Sequence, residues 1–255
     1  MLKKIRITVS IILFFLITLY FLDFANVLPQ RFSVLTNIQF IPALLALNIF
    51  ILIALVALTV IFGRVYCSSI CPMGIYQDIV AWFSKKILKK KKRYSYSKAK
   101  TILRWSVLVV TFVAFLSGFT FLLGLLDPYG AYGRFVTHLF RPAYLAGNNL
   151  LETVFTSFNN YSLYKVGIYS LGVSSIIIAL ITLLVVGFLA WKNGRTYCNT
   201  ICPVGTTLGF LSRFSLFKIQ FIDDKCNTCG LCSMKCKASC IDVKNKVIDH
   251  NRCVT

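Results

Sequence analysis

Apolar runs set the architecture of this chain. Four stretches, residues 5–22, 38–62, 105–126 and 169–191, contain few polar side chains. Each is near or above the roughly 20 residues that a helix needs to cross a bilayer. The first opens with Lys3, Lys4 and Arg6, as a signal peptide would. Its apolar run is long for one, however, and no small-residue cleavage site follows in DFANVLP, so it reads as a retained anchor. After the second and fourth stretches the pattern becomes amphipathic. Ile75, Ile79 and Phe83 recur at helical spacing, as do Val204, Leu208, Leu211 and Phe214, which predicts two helices lying along the membrane interface. Residues 127–168 open with the turn-rich DPYGAYGR, then give FVTHLFRPAYL and NLLETVFTSF, apolar enough for interfacial or re-entrant helices. Near the end Ile241 and Val243 alternate, Lys244-Asn245 can turn, and Val247-Ile248 return, which predicts a short hairpin.

Composition agrees with a membrane protein. Hydrophobic residues make up 57% and the mean hydropathy is +0.75, whereas a soluble domain needs a more polar exterior. Lys and Arg number 28 against 8 Asp and Glu, a formal charge of +20. Such a charge raises nucleic acid as a partner, but no nucleic-acid fold signature is present and the charge is grouped. Loop 63–104 carries SKKILKKKKRYSYSKAK and the segment after Trp191 is basic. Loop 23–37 has only Arg31, and loop 127–168 only Arg134, Arg141 and Lys165. By the positive-inside rule the N-terminus, loop 63–104 and the tail face the cytoplasm. The lysine run at 89–92 then serves as a topology signal and a lipid-headgroup contact.

One phrase occurs twice, GRVYCSSICPMG at 63–74 and GRTYCNTICPVG at 194–205, at a constant offset of 131 (198 − 67 and 202 − 71). Pro72 and Pro203 disfavour helix through the preceding cysteine and suit the first position of a new one. Each pair therefore sits in a turn between a membrane helix and the next helix. Cys71 and Cys202 lie near helix N-termini, where the dipole, with Arg64 and Arg195 nearby, favours thiolate. Cys67, Cys71, Cys198 and Cys202 together make four sulfurs, the number a cubane cluster takes. The competing readings are two reversible dithiols and structural cysteines at helix ends. All ten cysteines fall on the predicted cytoplasmic side, where thiols stay reduced, which favours metal ligation over disulfides.

The tail carries a second signal. Cys226, Cys229, Cys232 and Cys236 form C-x2-C-x2-C-x3-C, the bacterial ferredoxin spacing. Gly230 permits close backbone approach, and Lys237 stands where proline normally follows the fourth cysteine. A zinc ribbon would instead use two separated C-x2-C knuckles. In the two-cluster arrangement Cys226, Cys229 and Cys232 take a fourth ligand from a second motif, and Cys236 serves the other cluster. Cys253 stands where that motif should open, and the chain stops at Thr255, so the tail is expected to be truncated. Cys236, Cys240 and Cys253 are the candidate substitutes for the missing ligand, and Cys240 otherwise reads as a small buried residue. The expected fold is a membrane all-α protein. Four transmembrane helices form two pseudo-repeats, residues 1–104 and 105–218, and a small cytoplasmic ferredoxin-like α+β tail occupies 219–255.

The paired CxxxCP motifs after the second and fourth stretches, followed by a ferredoxin motif, resemble the NapH family of membrane quinol dehydrogenases. The NosR and CcoG polyferredoxins share parts of this plan. The resemblance covers nearly the whole chain and reaches Cys67, Cys71, Cys198, Cys202 and the tail cysteines. It implies 4Fe-4S clusters, electrons drawn from menaquinol or ubiquinol, iron–sulfur or cytochrome redox partners, and a multi-pass place in the bacterial cytoplasmic membrane. The CcoG likeness implies an alternative, reduction of copper during oxidase assembly. A redox-sensing membrane regulator is a third reading, with no regulatory domain visible. A quinone site needs an apolar slot and a proton acceptor, for which Asp127 or His138 is available, although a histidine there can equally serve a local hydrogen bond. The other histidine, His250, lies in the tail, so no pair is present for haem in the membrane region.

Overall fold

The computed structural model describes residues 2–23, 30–87, 94–167, 172–222 and 226–254; the lysine run at 89–92 lies outside them. The first half comprises α1 (Leu2–Leu22), α2 (Val34–Asn37), α3 (Phe40–Leu45), α4 (Ile49–Phe62), α5 (Val65–Ser69) and α6 (Pro72–Ile87). The second comprises α7 (Thr101–Leu116), α8 (Thr120–Leu126), α9 (Pro128–Phe135), α10 (Arg141–Ser157), α11 (Val173–Asn193), α12 (Thr196–Thr200) and α13 (Pro203–Leu211). The tail adds α14 (Leu231–Lys235) and the strands β1 (Ile241–Asp242) and β2 (Val247–Ile248).

Among the described residues two helices are long and apolar enough to cross a membrane, Lys4–Leu22 and Val173–Asn193. They lie within α1 and α11. Only 11% and 17% of their apolar windows are buried, so both turn apolar surface outward, which water does not favour. The second and third apolar stretches are not single helices. Residues 38–62 break at 46–48, where Leu47 takes a positive φ of 50° and the Asn48 side chain accepts from the Ile51 amide to start α4. Residues 105–126 break at Gly118, whose φ is 82°. Both stretches fold back on themselves. The Phe40 amide donates to Tyr66 Oη while α4 runs into Arg64, and the Leu126 carbonyl accepts from Tyr197 Oη. At 1.5 Å per residue, α4 and α7 are about 21 and 24 Å long.

The repeat in the sequence is a repeat in the backbone. Helices α5 and α12 share bounds once 131 residues are added. Gly63 and Gly194 have φ of 75° and 74°, the left-handed region that only glycine enters freely. Arg64 and Arg195 follow at (−77°, 42°) and (−83°, 41°), and Ile70 and Ile201 at (−108°, −40°) and (−113°, −37°). Both halves thus make the same sharp exit from a long helix, one short turn, and a re-entry at proline.

The helices after the prolines do not lie free along an interface. Helix α6 packs against α11, α9 and α1. Its buried positions are Met73, Ile75, Gln77, Ala81 and Ser84, while Ile79 and Phe83 are exposed. The apolar stripe read from the sequence is therefore not the buried one, because two polar residues occupy the buried face. In α13 Val204 and Leu208 are buried within the protein, and Phe214 beyond it is exposed. The segment read as an outer loop forms helices, as expected, but α9 is buried between α6 and α11, and Tyr132 Oη meets Thr18 Oγ1 of α1 at 2.6 Å.

The predicted hairpin is present, antiparallel, with Ile241 opposite Ile248 and Asp242 opposite Val247. The tail docks on both repeats. The Arg195 amide donates to the Lys237 carbonyl, Asn199 Nδ2 to the Ala238 carbonyl, and Ser212 Oγ to the His250 carbonyl. Segment 94–97 covers it from the other side, through Tyr94 N to Met234 O and Ser97 N to Ser239 O.

Candidate metal centre

Cys67, Cys71, Cys198 and Cys202 are brought together in one buried site, none more than 3% exposed. The first pair flanks the end of α5 and the second the end of α12. Each repeat positions its pair in the same way. The start of the next helix packs on the turn before it, and a Cβ on Gly74 would lie 2.1 Å from the Cys67 carbonyl oxygen. A Cβ on Gly205 would lie 2.2 Å from that of Cys198. The two repeats also exchange arginines. Arg64 Nη2 donates to the Cys198 carbonyl at 3.0 Å, and Arg195 Nη1 to the Cys67 carbonyl at 3.3 Å.

Donors point at the sulfurs. The Gly205 amide donates to Cys202 Sγ at 3.3 Å, Gln77 Nε2 to Cys198 Sγ at 3.0 Å, and the Gly74 amide to Cys71. Such bonds favour thiolate, as the helix-terminus reading expected, but burial outweighs them in the metal-free chain. Desolvation, then the charges of Cys198 and Cys67, push the Cys71 thiol well above its ordinary value. Cys202 is raised in the same way, by burial and then by Cys198 and Cys71. Cys198 is raised to about 11 by burial and Cys67, against Arg195, Arg64 and Gln77. All four cysteines belong to the same buried core. Without a cation to bind, the Cys71, Cys198 and Cys202 thiols hold their protons.

A second layer surrounds the sulfurs. On one side Tyr66 Oη donates to Gln39 Oε1 at 2.9 Å, and Tyr197 Oη to Leu126 O at 2.9 Å. Asp127 caps α9 by accepting from the Tyr129 and Gly130 amides. It lies near enough to add to the upward shift of Cys71, Tyr66 and Tyr197. The residue read as part of an outer loop thus reaches the cysteine site, because α8 folds back toward it. His138 is placed apart from this cap, in the π turn Val136–Phe140 between α9 and α10. On the other side Arg195 makes a two-pronged ion pair with Asp78 at 2.9 and 2.6 Å, and Lys237 approaches the same carboxylate at 3.3 Å. Sequence reasoning missed Gln77, Asp78, Asn199 and Gln39. At the same offset of 131 the first two become Leu208 and Gly209, beyond the repeated phrase, which ends at Gly74 and Gly205.

The tail cysteines divide. Cys229 and Cys232 are exposed, Cys226 is half-buried, and Gly230 takes φ 73° before α14. Cys236 instead joins Cys240 and Cys253. Cys236 Sγ lies 3.5 Å from Cys240 Sγ, and Cys240 also hydrogen-bonds Cys253. The Cys240 thiol bond brings Cys236 down to about 6; burial opposes this, and the backbone amides of Cys240, Ala238 and Ser239 assist. Cys240 is wholly buried, as a small core residue would be. All ten cysteines are free thiols.

The residues of the buried site suit a 4Fe-4S cluster. Four sulfurs are a full ligand set, and a thiolate-bound cluster is anionic. Among the described residues no group of three or more His, Cys, Asp or Glu is set to hold a single metal ion. Arg64, with no exposed surface, makes no ion pair among them, and its Nε lacks an acceptor. A buried cation of this kind calls for a compensating anion.

Comparison with known proteins agrees. The 4Fe-4S binding domain matches twice, over residues 44–91 and 171–221. Both matches lie on the CxxxCP repeats and end before Cys226. The methylamine utilization ferredoxin-type protein MauN of Paracoccus denitrificans is 28% identical over 68% of this chain. The putative electron transport protein YccM of Escherichia coli is 21% identical over 84%, and the ferredoxin-type protein NapH of Haemophilus influenzae is 23% identical over 69%. The chain is similar to these ferredoxin-type and electron transport proteins. It spans about half the length of these relatives, 48%, 52% and 48% of each. No solved structure matches. The arginine exchange and the paired glycines of this chain give the doubled match a physical reason, since neither repeat builds the site alone.

Proposed function

We propose that the chain is a membrane-bound iron–sulfur electron carrier that takes electrons from quinol and passes them to partner redox proteins. The observation that carries this reading is the burial of Cys67, Cys71, Cys198 and Cys202 in one site assembled from two repeats. These four hold one 4Fe-4S cluster. Such a cluster supplies one-electron transfer without moving atoms, which suits a site whose backbone is fixed on both sides. Gln77 and the amides of Gly74 and Gly205 direct the sulfurs, and the surrounding helices keep water out. Cys226, Cys229, Cys232 and Cys236 hold a second cluster nearer the surface, with Cys240 and Cys253 beside the last of them. Electrons leave through this exposed edge to an iron–sulfur or cytochrome partner.

Helices α1, α4, α7 and α11 are the four transmembrane helices of a bacterial cytoplasmic membrane protein. The N-terminus, the repeated motifs and the tail face the cytoplasm, as the positive-inside rule directs. The short α4 and α7 are accommodated by their hairpin partners α3 and α8 and by local bilayer thinning. Quinol oxidation needs a proton acceptor as well as an electron acceptor, and Asp127 is the buried carboxylate nearest the centre on the side away from the tail. The test is anaerobic addition of menaquinol to membranes holding the protein. The expected result is cluster reduction in the wild type, absent in Cys67→Ala. Cupric reduction that proceeds without quinol would replace this reading with that of a metal reductase.

A further inference from the structure

The two repeats match in backbone and differ in charge. Arg195 is neutralised by Asp78, whose two carboxylate oxygens it grips, and the remaining charge of Lys237 is 41% exposed and screened by water. Adding 131 to 78 gives Gly209, so Arg64 faces no such carboxylate. The missing side chain admits the tail instead, and a Cβ on Gly209 would lie 2.6 Å from the Asn251 carbonyl oxygen. That carbonyl accepts from Arg64 Nη1 at 3.1 Å, and Asn199 Oδ1 accepts from the same nitrogen at 2.7 Å. Arg64 Nη2 meanwhile reaches the Cys198 carbonyl and lies 3.9 Å from Cys67 Sγ. The other charged groups around it do not neutralise it. Arg104 is a second buried cation, and Asp249 is paired with Arg252 at 2.6 Å.

We propose that Arg64 sets the reduction potential of the four-cysteine centre, as an uncompensated buried cation held between that centre and the docked tail. This rests on the reading that the four cysteines hold a cluster. Adding an electron makes an anionic cluster more anionic, and a fixed positive charge at contact distance in a water-poor site favours that state. Arg64 is a positioning residue as well, since one guanidinium holds the turn that carries Cys198 and the loop that carries Cys253. Arg195 contributes less to the potential, because its charge is spent on Asp78.

The test is an anaerobic redox titration of purified protein followed by electron paramagnetic resonance, with iron and sulfide counted in each sample. In Arg64→Gln iron is retained, and the reduced-to-oxidised ratio at a fixed potential falls about tenfold, which is about 59 mV for one electron. Arg64→Lys keeps the charge and stays nearer the wild type. Asp78→Asn frees the charge of Arg195 and moves the ratio the other way. An Arg64→Gln protein with full iron and an unchanged ratio overturns the proposal. If Arg64→Gln does not fold, Asp78→Asn decides, with an upward shift supporting the proposal and no shift overturning it. Failure of the underlying reading looks different, because Cys67→Ala would then keep the iron and the signal of the wild type.

Discussion

The cysteines of the repeated motifs and those that open the tail motif are organised in opposite ways. Cys67, Cys71, Cys198 and Cys202 come from positions 131 residues apart and are buried by backbone that leaves no room for error. Cys226, Cys229 and Cys232 come from seven consecutive positions that run into α14, the first half-buried and the other two exposed. The first set is built by tertiary structure, so its geometry exists before any cluster arrives. The second is set by local spacing and gains its order from what it binds. A pre-built site holds its redox group at fixed potential, and an exposed loop offers short contact to a partner.

The sharpest way to break this comparison is to crowd each set. Gly74→Ala places a Cβ 2.1 Å from the Cys67 carbonyl oxygen, a backbone atom that cannot swing aside. Iron content and folded yield should collapse, and Gly205→Ala should do the same. Gly230→Ala has open space around it and costs only the left-handed backbone, about 1–2 kcal/mol. Equal tolerance of Gly74→Ala and Gly230→Ala would end the distinction. Thiol accessibility sharpens it next. In iron-free protein, Cys229 and Cys232 should react with maleimide at once, and the four buried thiols only as the fold opens, as peptide mapping by mass spectrometry would record. Similar rates for both sets would contradict the burial.

A smaller effect follows from the link between the two regions. Asp78 ties Arg195 of the centre to Lys237 of the tail. Asp78→Asn should lower thermal stability by about 1–3 kcal/mol and raise amide exchange in residues 234–252, with the exposed cysteine loop unaffected. Uniform exchange would show that the tail docks without this pair. The smallest effect is a change of slope with pH. Burial holds the Asp127 carboxyl at about 6, against the Gly130 and Tyr129 amides and Arg134, and an unfolded chain gives roughly 3.9. Between those values the folded protein keeps a proton that the unfolded chain has lost. Stability therefore falls as pH rises from about 4 to 6 and is level above. In Asp127→Asn, thermal melts should lack that fall.

Much of the centre was legible because it is repeated. The doubled GRxYCxxICP phrase fixed the pairs, the helix starts at Pro72 and Pro203 and the arginines, and the strand pairing of 241–248 followed from local alternation. What stayed hidden depends on how the chain folds back. Residues 38–62 and 105–126 read as single crossings because apolar content alone does not reveal a reversal at Leu47 or Gly118. That reversal brings Leu126 and Asp127 to Tyr197 rather than leaving them on the far side. The buried face of α6 was misread because Gln77 and Ser84 are polar and face inward, where Gln77 meets Cys198 and Ser84 meets the Trp191 carbonyl. Burial also reversed the expected acidity of Cys71 and Cys202, a desolvation effect that helix position cannot report.

Iron and acid-labile sulfide counted on two variants of the full chain test the central claim most directly. One lacks Cys67 and Cys198, and the other lacks Cys226, Cys229 and Cys232. The account predicts that the second keeps the iron, sulfide and reduced-state signal of the buried centre's cluster, and that the first loses that cluster and keeps only the tail's. A tail variant with no iron, beside a Cys67 and Cys198 variant with all of it, would contradict the account.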